Sequence, residues 1–179
     1  TLDVSLFNYN ITNRLMTVML ANNSNTTVNA GNQTARGVDV MIAAKPLWHF
    51  SPFASVEYLH ATEDSNIPYG ASFLPTKGKV AIMSPRVMAN FGLTYDNSRF
   101  FANAAIHYTG PQSVTLVNDQ RIPGYLTNTL SLGYRIPSFY YAKDPVFRLN
   151  FTNLTGALIR TGATGVTNNY RPVTLLNGT

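Results

Sequence analysis

Between Tyr125 and Arg135 the chain reads YLTNTLSLGYR. Leu126, Leu130, Leu132 and Tyr134 share one parity, broken only by Asn128. Thr127, Thr129, Ser131, Gly133 and Arg135 share the other. A strand sends successive side chains to opposite faces, so this is a ribbon with one apolar and one small, hydroxylated face. In a soluble sandwich the apolar face would be buried in a core. In a transmembrane barrel it would point at lipid.

The same alternation recurs on either side of this segment. Strands are expected over about Leu2–Thr12, Thr34–Ala44, Pro52–Ala61, Arg86–Tyr95, Phe100–Tyr108, Tyr125–Arg135 and Val146–Leu154. Asp96–Asn97–Ser98–Arg99 has the residue types of a tight turn, and Lys45–His49 is another short connection. Asn13–Gln33, Thr62–Ser84, Thr109–Gly124 and the Gly/Thr/Asn-rich remainder from Thr155 read as long loops. The apolar run RLMTVML could instead lengthen the first strand. Short and long connections therefore alternate, which puts all the long ones at one end of a meander. Short turns at one end and long loops at the other are a habit of outer-membrane barrels. The fold class is all-β: an antiparallel meander of about seven strands, a segment of a transmembrane β-barrel.

Composition agrees. Only 12% of residues are charged, about half the roughly 25% of soluble domains. Mean hydropathy is nevertheless −0.04, because Asn, Thr, Ser and Gly supply the polarity. No apolar run approaches the ~20 residues of a membrane-spanning helix. Cysteine is absent, which excludes thiolate metal sites and a disulfide framework. The net charge of +5 comes from scattered residues, with Lys77–Gly78–Lys79 the densest cluster, so no nucleic-acid partner is expected.

The position of the charges is an independent check. The greasier parity comprises Val38, Val40 and Ile42; Ala54, Val56 and Tyr58; Val87 through Tyr95 in steps of two; Ala102 through Tyr108; Leu126 through Tyr134; and Phe147, Leu149 and Phe151. Asp39, Glu57, Arg86, Arg135 and Arg148 all fall on the opposite parity, and Asp3 joins them if Val4 and Leu6 face lipid. Arg36 is the exception. It sits at a strand end, where a lipid-facing charge costs only ~0–1 kcal/mol against ~2–4 at the midplane. Trp48, Tyr95, Phe100, Tyr108, Tyr125, Tyr134 and Phe147 lie near expected strand ends and suit two interfacial girdles.

Four ordered motifs resemble the C-terminal barrel of TonB-dependent outer-membrane receptors. They are Asn29–Ala30–Gly31 followed by Thr34–Ala35–Arg36–Gly37–Val38–Asp39–Val40; Tyr108–Thr109–Gly110; Ile122–Pro123–Gly124–Tyr125; and Phe147–Arg148–Leu149–Asn150–Phe151–Thr152–Asn153–Leu154. The resemblance covers most of residues 1–154. It departs from the family at Asp39, where Glu is usual, and at Leu175–Leu176–Asn177–Gly178–Thr179, where a strand ending in an aromatic residue is usual. The resemblance implies that residues 1–179 are a partial barrel domain with the plug and the final strand absent. The seven strands would be roughly the fifteenth to twenty-first of a barrel of about 22. It implies an outer-membrane location in a Gram-negative bacterium, contact with outer-membrane lipid, and uptake of a ferric siderophore or similar scarce ligand. It also implies energy coupling to a TonB complex through the absent plug. A passive small barrel or porin and a soluble β-sandwich binding module remain as alternatives. The small barrel needs Tyr170–Leu176 as an eighth strand, which Pro172 disfavours.

No catalytic constellation is present, so the chain is not expected to be an enzyme, and no cofactor or metal is expected. Arg121 and Arg160 are candidate contacts for an anionic ligand, since guanidinium matches carboxylates. His107, on the polar parity near a strand's loop end, is a third candidate. Met16 and Met19 could touch an apolar ligand. His60 with Glu63 and Asp64 reads as a solvated rim cluster.

Overall fold

The computed structural model describes residues 1–19, 24–69, 71–164 and 174–178. In chain order the strands are β1 (Leu2–Ile11), β2 (Leu15–Met19), β3 (Asn25–Asn29), β4 (Gln33–Ala43), β5 (Phe50–Glu63), β6 (Ile67–Tyr69), β7 (Ser72–Leu74) and β8 (Val87–Asp96). They continue with β9 (Phe100–Thr109), β10 (Gln112–Ser113), β11 (Arg121–Ile122), β12 (Tyr125–Arg135), β13 (Val146–Thr152), β14 (Ile159–Thr164) and β15 (Thr174–Gly178). Seven of them form one antiparallel sheet in the order β1-β4-β5-β8-β9-β12-β13. These are the seven strands expected from the alternation, paired in sequence order.

The ladder registers bring the apolar positions into continuous rows. Val4, Val40, Val56, Ala89, Tyr108 and Leu126 are successive partners across six strands. Leu93, Ala104, Leu130 and Phe151 form another row. Partners in an antiparallel ladder point to the same face, so every residue assigned to the greasy parity meets another of that set, apart from a few strand-end and interrupted positions. One interruption is Asn128, opposite Ile106. Its Oδ1 accepts from Leu154 N at 2.7 Å and its Nδ2 donates to Thr155 Oγ1 at 3.1 Å, which ties the turn after β13 to β12. The apolar face is bare: Leu6 is 81% exposed, Phe91 50% and Leu149 44%. Among the described residues no second layer covers it, which is the opposite of a sandwich.

The connections sort by length as the sequence suggests. Residues 44–49, 97–99 and 136–145 join strands at one end, and the longer excursions lie at the other. At the first short turn the tip is Trp48–His49, both at positive φ, and Leu47 and Phe50 exchange backbone hydrogen bonds of 2.9 Å around it. That is the two-residue hairpin geometry matched to strand twist. Just above the short turns the apolar face carries an aromatic row. Phe50 and Tyr95 ring centroids lie 4.8 Å apart and Tyr95 and Phe100 6.1 Å, with Tyr134 and Phe147 paired beyond. Tyr58 and Tyr108 mark the other rim of that face. Tyr125 does not join a girdle, because it partners Thr109 on the polar face.

The excursions differ from the expected irregular long loops. β2 pairs with β3, β6 with β7, β10 with β11, and β14 with β15, each as a small separate ribbon. Within the run RLMTVML, of which Leu20 lies outside the described residues, Leu15–Met19 therefore neither extends β1 nor stays irregular. Its alternation pairs with Thr26–Thr27–Val28, whose β-branched side chains suit a strand. Of the proposed eighth strand, residues 170–173 lie outside the described residues, and β15 pairs with β14 instead of with the seven-stranded sheet.

On the polar face three phenylalanines lie over glycines directly across the ladder: Phe7 over Gly37, Phe53 over Gly92 and Phe101 over Gly133. A Cβ at Gly133 would stand 2.0 Å from Phe101 Cζ. The Phe101 ring is in turn flanked by the Arg135 and Arg148 guanidinium carbons at 4.6 and 5.1 Å, and Arg135 is held by a bidentate pair with Asp96 at 2.7–2.8 Å. The ring has little room to yield. Gly133→Ala is therefore expected to destabilise the barrel by ~1–3 kcal/mol of overpacking, exceeding the ~0.5–1 kcal/mol that Ala gains in a regular strand. Urea midpoints of the refolded protein check this. Phe101→Ala in the same chain should restore most of the loss, and simple additivity of the two losses would refute the contact.

Candidate functional site

The described hydrophobic core does not lie beneath the sheet but among the excursions at its long end. Ala30 from the first, Ile67 and Leu74 from the second and Leu116 from the third form one buried cluster, with Met16, Val28, Tyr69 and Ile82 against it. Met16 thus packs inward instead of being presented to a ligand, and the Met19 side chain lies outside the described residues.

Polar clamps lock the same excursions together. Asn118, at positive φ, accepts from Val80 N at 2.7 Å and donates to Val80 O at 2.8 Å, joining the third excursion to the second. Buried Thr76 accepts from Ile67 N at 3.1 Å and donates to Ser65 O at 2.8 Å. Gly31 sits at φ +76°, and Ser65 approaches so closely that an added Cβ would lie 2.5 Å from it. Only glycine meets both demands. The first excursion is anchored by Arg14, whose Nη2 reaches both Glu63 oxygens at 2.5–2.6 Å. Glu63 is 1% exposed.

Glu63 corrects the reading of a solvated cluster. It lies above the apolar band, yet the excursions bury it. Burial pushes its carboxyl upward from the ordinary range, and the charge and hydrogen bonds of Arg14 oppose that. Asp64 accepts from Thr34 Oγ1 at 2.7 Å, so the three residues of the cluster have different surroundings. No sequence signal links Arg14 to a partner 49 positions away.

Below this platform runs the polar wall. Asp3, Met41, Ser55, Asn90, His107 and Thr127 are successive partners across six strands, and Ser5, Asp39, Glu57, Met88 and Thr109 form the next row. His107 stands on this wall, between depressions of about 310 and 190 Å³. Its Nδ1 bonds Asn90 Oδ1 and its Nε2 bonds Thr109 Oγ1 at 3.0 Å. The assignment that satisfies both has Nδ1–H donating and Nε2 accepting from the Thr109 hydroxyl. Asn90 donates on to Ser55 Oγ at 3.1 Å, and Asn103 to Thr94 Oγ1 at 2.8 Å. Around His107 the polar side chains satisfy one another, whereas Asp39 and Glu57 face each other across the ladder with no hydrogen-bond or ion-pair partner among the described residues.

The three candidate residues do not converge. Arg160 is half-buried on β14, at the long-excursion end. Arg121 lies in β11 and lines a cleft of about 320 Å³ with Arg86, Val87, Tyr108 and Gly110. Val87 and Tyr108 belong to the apolar face, so this cleft is distinct from the His107 wall. Arg86 was expected on the polar parity. It immediately precedes β8, and its carbonyl accepts from Leu59 N at 2.9 Å, which continues the β5–β8 register.

A family model described as TonB dependent receptor-like, beta-barrel, matches residues 1–154. No curated protein sequence matches the chain. Among solved structures the chain is similar to the siderophore receptor PiuA from Acinetobacter baumannii, with TM-score 0.72 and 16% identity over 98% of this chain and 24% of that one. It is also similar to the ferric yersiniabactin uptake receptor FyuA from Yersinia pestis, with TM-score 0.71 and 17% identity over 99% of this chain and 25% of that one. A third is BauA, the ferric preacinetobactin receptor from Acinetobacter baumannii, with TM-score 0.64 and 19% identity over 97% and 25%. The chain spans about a quarter of the length of these structures.

Proposed function

This chain belongs to the TonB-dependent receptor β-barrel family, and on that premise we propose that its seven-stranded sheet is one arc of an outer-membrane receptor barrel in a Gram-negative bacterium. The receptor's task is uptake of a scarce extracellular ligand of the ferric-siderophore kind, with energy delivered through TonB. The observation that carries this reading is the bare apolar face. Its residues meet in register across seven strands, while the opposite face carries the charged and hydroxylated side chains. An open sheet of this kind cannot stand in hydrocarbon with free edges, since each unpaired amide costs several kcal/mol. β1 and β13 are the edges among the described residues, so further strands close the barrel.

In this reading the packed excursions form the outer mouth, Arg121 and Arg160 are candidate contacts for an anionic ligand there, and His107 faces the passage below. The siderophore and ferric-siderophore ligands named for the similar receptors support the siderophore class. Transport, not catalysis, follows from the same family membership. The test is uptake of radio-iron by iron-starved cells given catecholate or hydroxamate ferric siderophores. Deleting the full-length gene is expected to abolish uptake of at least one, and an uncoupler should abolish it equally. His107→Ala is expected to slow uptake with assembly intact. Uptake unaffected by deletion would refute the receptor role, and uptake insensitive to the uncoupler would favour a passive barrel.

A further inference from the structure

The connection between β12 and β13 does not stop at the aromatic row above the short turns. Tyr134 and Phe147 are partners in that row, and the hairpin continues past them through Arg135 opposite Val146 and a 2.8 Å bond from Ile136 N to Pro145 O. Ser138 then braces it, because its Oγ donates to Asp144 Oδ1 and accepts from Asp144 N, both at 2.9 Å. Phe139 and Ala142 exchange backbone hydrogen bonds of 3.0 and 2.7 Å around a two-residue tip, Tyr140–Tyr141. Such corners favour Asn, Asp and Gly, so turn geometry alone does not call for two tyrosines. Their rings meet edge to face with centroids 4.4 Å apart. They are 90% and 91% exposed, the highest values among the large apolar and aromatic side chains of the described residues. The arm from Tyr134 to Tyr140 spans up to ~20 Å when extended, against a polar headgroup layer only ~5–8 Å thick, so it is long enough to carry the tip past the membrane surface.

This end of the sheet is also basic. Lys45, Arg99 and Lys143, one in each short turn, are exposed, and their side chains have no hydrogen bond or ion pair among the described residues. Arg99 adjoins the base of the hairpin, where its carbonyl accepts from Arg135 N at 2.7 Å. Of the acids nearby, Asp96 is engaged by Arg135 and Asp144 is tied into the Ser138 brace. Resting on the barrel reading above, we infer that the Tyr140–Tyr141 tip docks the cell-wall glycan on the inner side of the outer membrane, a polymer of N-acetylated sugars whose peptide branches carry carboxylates. The C–H face of a pyranose packs on an aromatic ring, and two rings set at right angles offer such faces in two directions. The phenolic hydroxyls supply polar tips for the sugar hydroxyl and acetamido groups. Arg99 and Lys143 meet the peptide carboxylates with charge-assisted hydrogen bonds. The braced hairpin holds the rings in place before contact, which lowers the ordering cost of binding. Anionic lipid could satisfy the cations, but its headgroups lie level with the aromatic row and not with the tip.

Cosedimentation of the full-length protein, held in an uncharged detergent, with purified cell-wall sacculi tests this. Wild type is expected to pellet with the sacculi, and added salt should release part of it, because exposed charges are screened. Tyr140→Ser with Tyr141→Ser should weaken binding about tenfold, the size expected when anchoring aromatics are lost. Arg99→Gln with Lys143→Gln should weaken it less and remove most of the salt dependence. Amidating the carboxylates of the sacculi should have the same effect on wild type. Phe73→Ser with Lys77→Gln removes an exposed aromatic and an exposed cation at the opposite end and should change nothing. Heat modifiability on gels reports assembly of each variant. Equal pelleting of wild type and the tyrosine variant, or equal loss on Phe73→Ser with Lys77→Gln, overturns the proposal while leaving the barrel reading intact. Tyrosine-dependent binding to phosphatidylglycerol vesicles but not to sacculi overturns it in favour of a lipid contact. Absence of a heat-modifiable wild-type barrel overturns the barrel reading itself.

Discussion

Replacing Arg14 with alanine is expected to destabilise the platform of excursions by ~3–5 kcal/mol, because it strands the Glu63 carboxylate without its counter-charge in a buried position. The effect should appear as rapid proteolysis of residues 13–32 and 64–85 while the wall stays protected. It should also shrink as pH falls. Burial already raises the Glu63 pKa, and without Arg14 the two opposing causes vanish, so the carboxyl takes a proton more readily and the uncompensated charge disappears. Arg14→Met with Glu63→Leu should recover most of the stability, since an apolar pair replaces a desolvated ionic one. If the double variant is as protease-sensitive as Arg14→Ala at neutral pH, the pair is not what holds the platform.

The second large effect concerns the two faces of the wall. Leu130 lies midway along the apolar row of β12, between Leu126 and Tyr134, and partners Ala104 and Phe151. Leu130→Arg is expected to cost ~2–4 kcal/mol at the bilayer midplane and to reduce the folded, heat-modifiable fraction severely. Ser131→Arg, one residue on, places the same charge on the polar face among Asn103 and Asn150 and should assemble nearly normally. Equal loss for both variants would mean that the faces are not distinct.

How much of this was legible in the sequence varies with the range of the interaction. The seven wall strands, their pairing order and the sorting of connections by length follow from period-two patterning and turn residues, which act within a few positions. Val4, Val40, Val56 and Leu126 advertise their face because a one-residue slip would send each to the other side. The hairpin Leu15–Met19 with Asn25–Asn29 was hidden by its polar composition, although Met16, Val28 and the adjacent threonines do alternate. The Arg14–Glu63 pair, the Asn118 clamp on Val80 and the Gly31–Ser65 approach join positions 34 to 49 residues apart, and nothing local announces them. Candidate contacts were harder still. Residue type singles out Arg121 as a candidate ligand contact, and the fold adds that it lines a cleft with Tyr108 and Val87, away from the wall that carries His107.

The central claim is that one face of this sheet meets lipid and the other does not. Spin labels at single cysteines test it directly, using two cross-strand pairs: Leu132 with Leu149, and Ser131 with Asn150. In bilayers, the full-length protein should give labels at Leu132 and Leu149 that are relaxed strongly by oxygen and weakly by a water-soluble nickel complex. Labels at Ser131 and Asn150 should lack that oxygen preference. The reverse order, or equal oxygen accessibility at all four sites, would contradict the account.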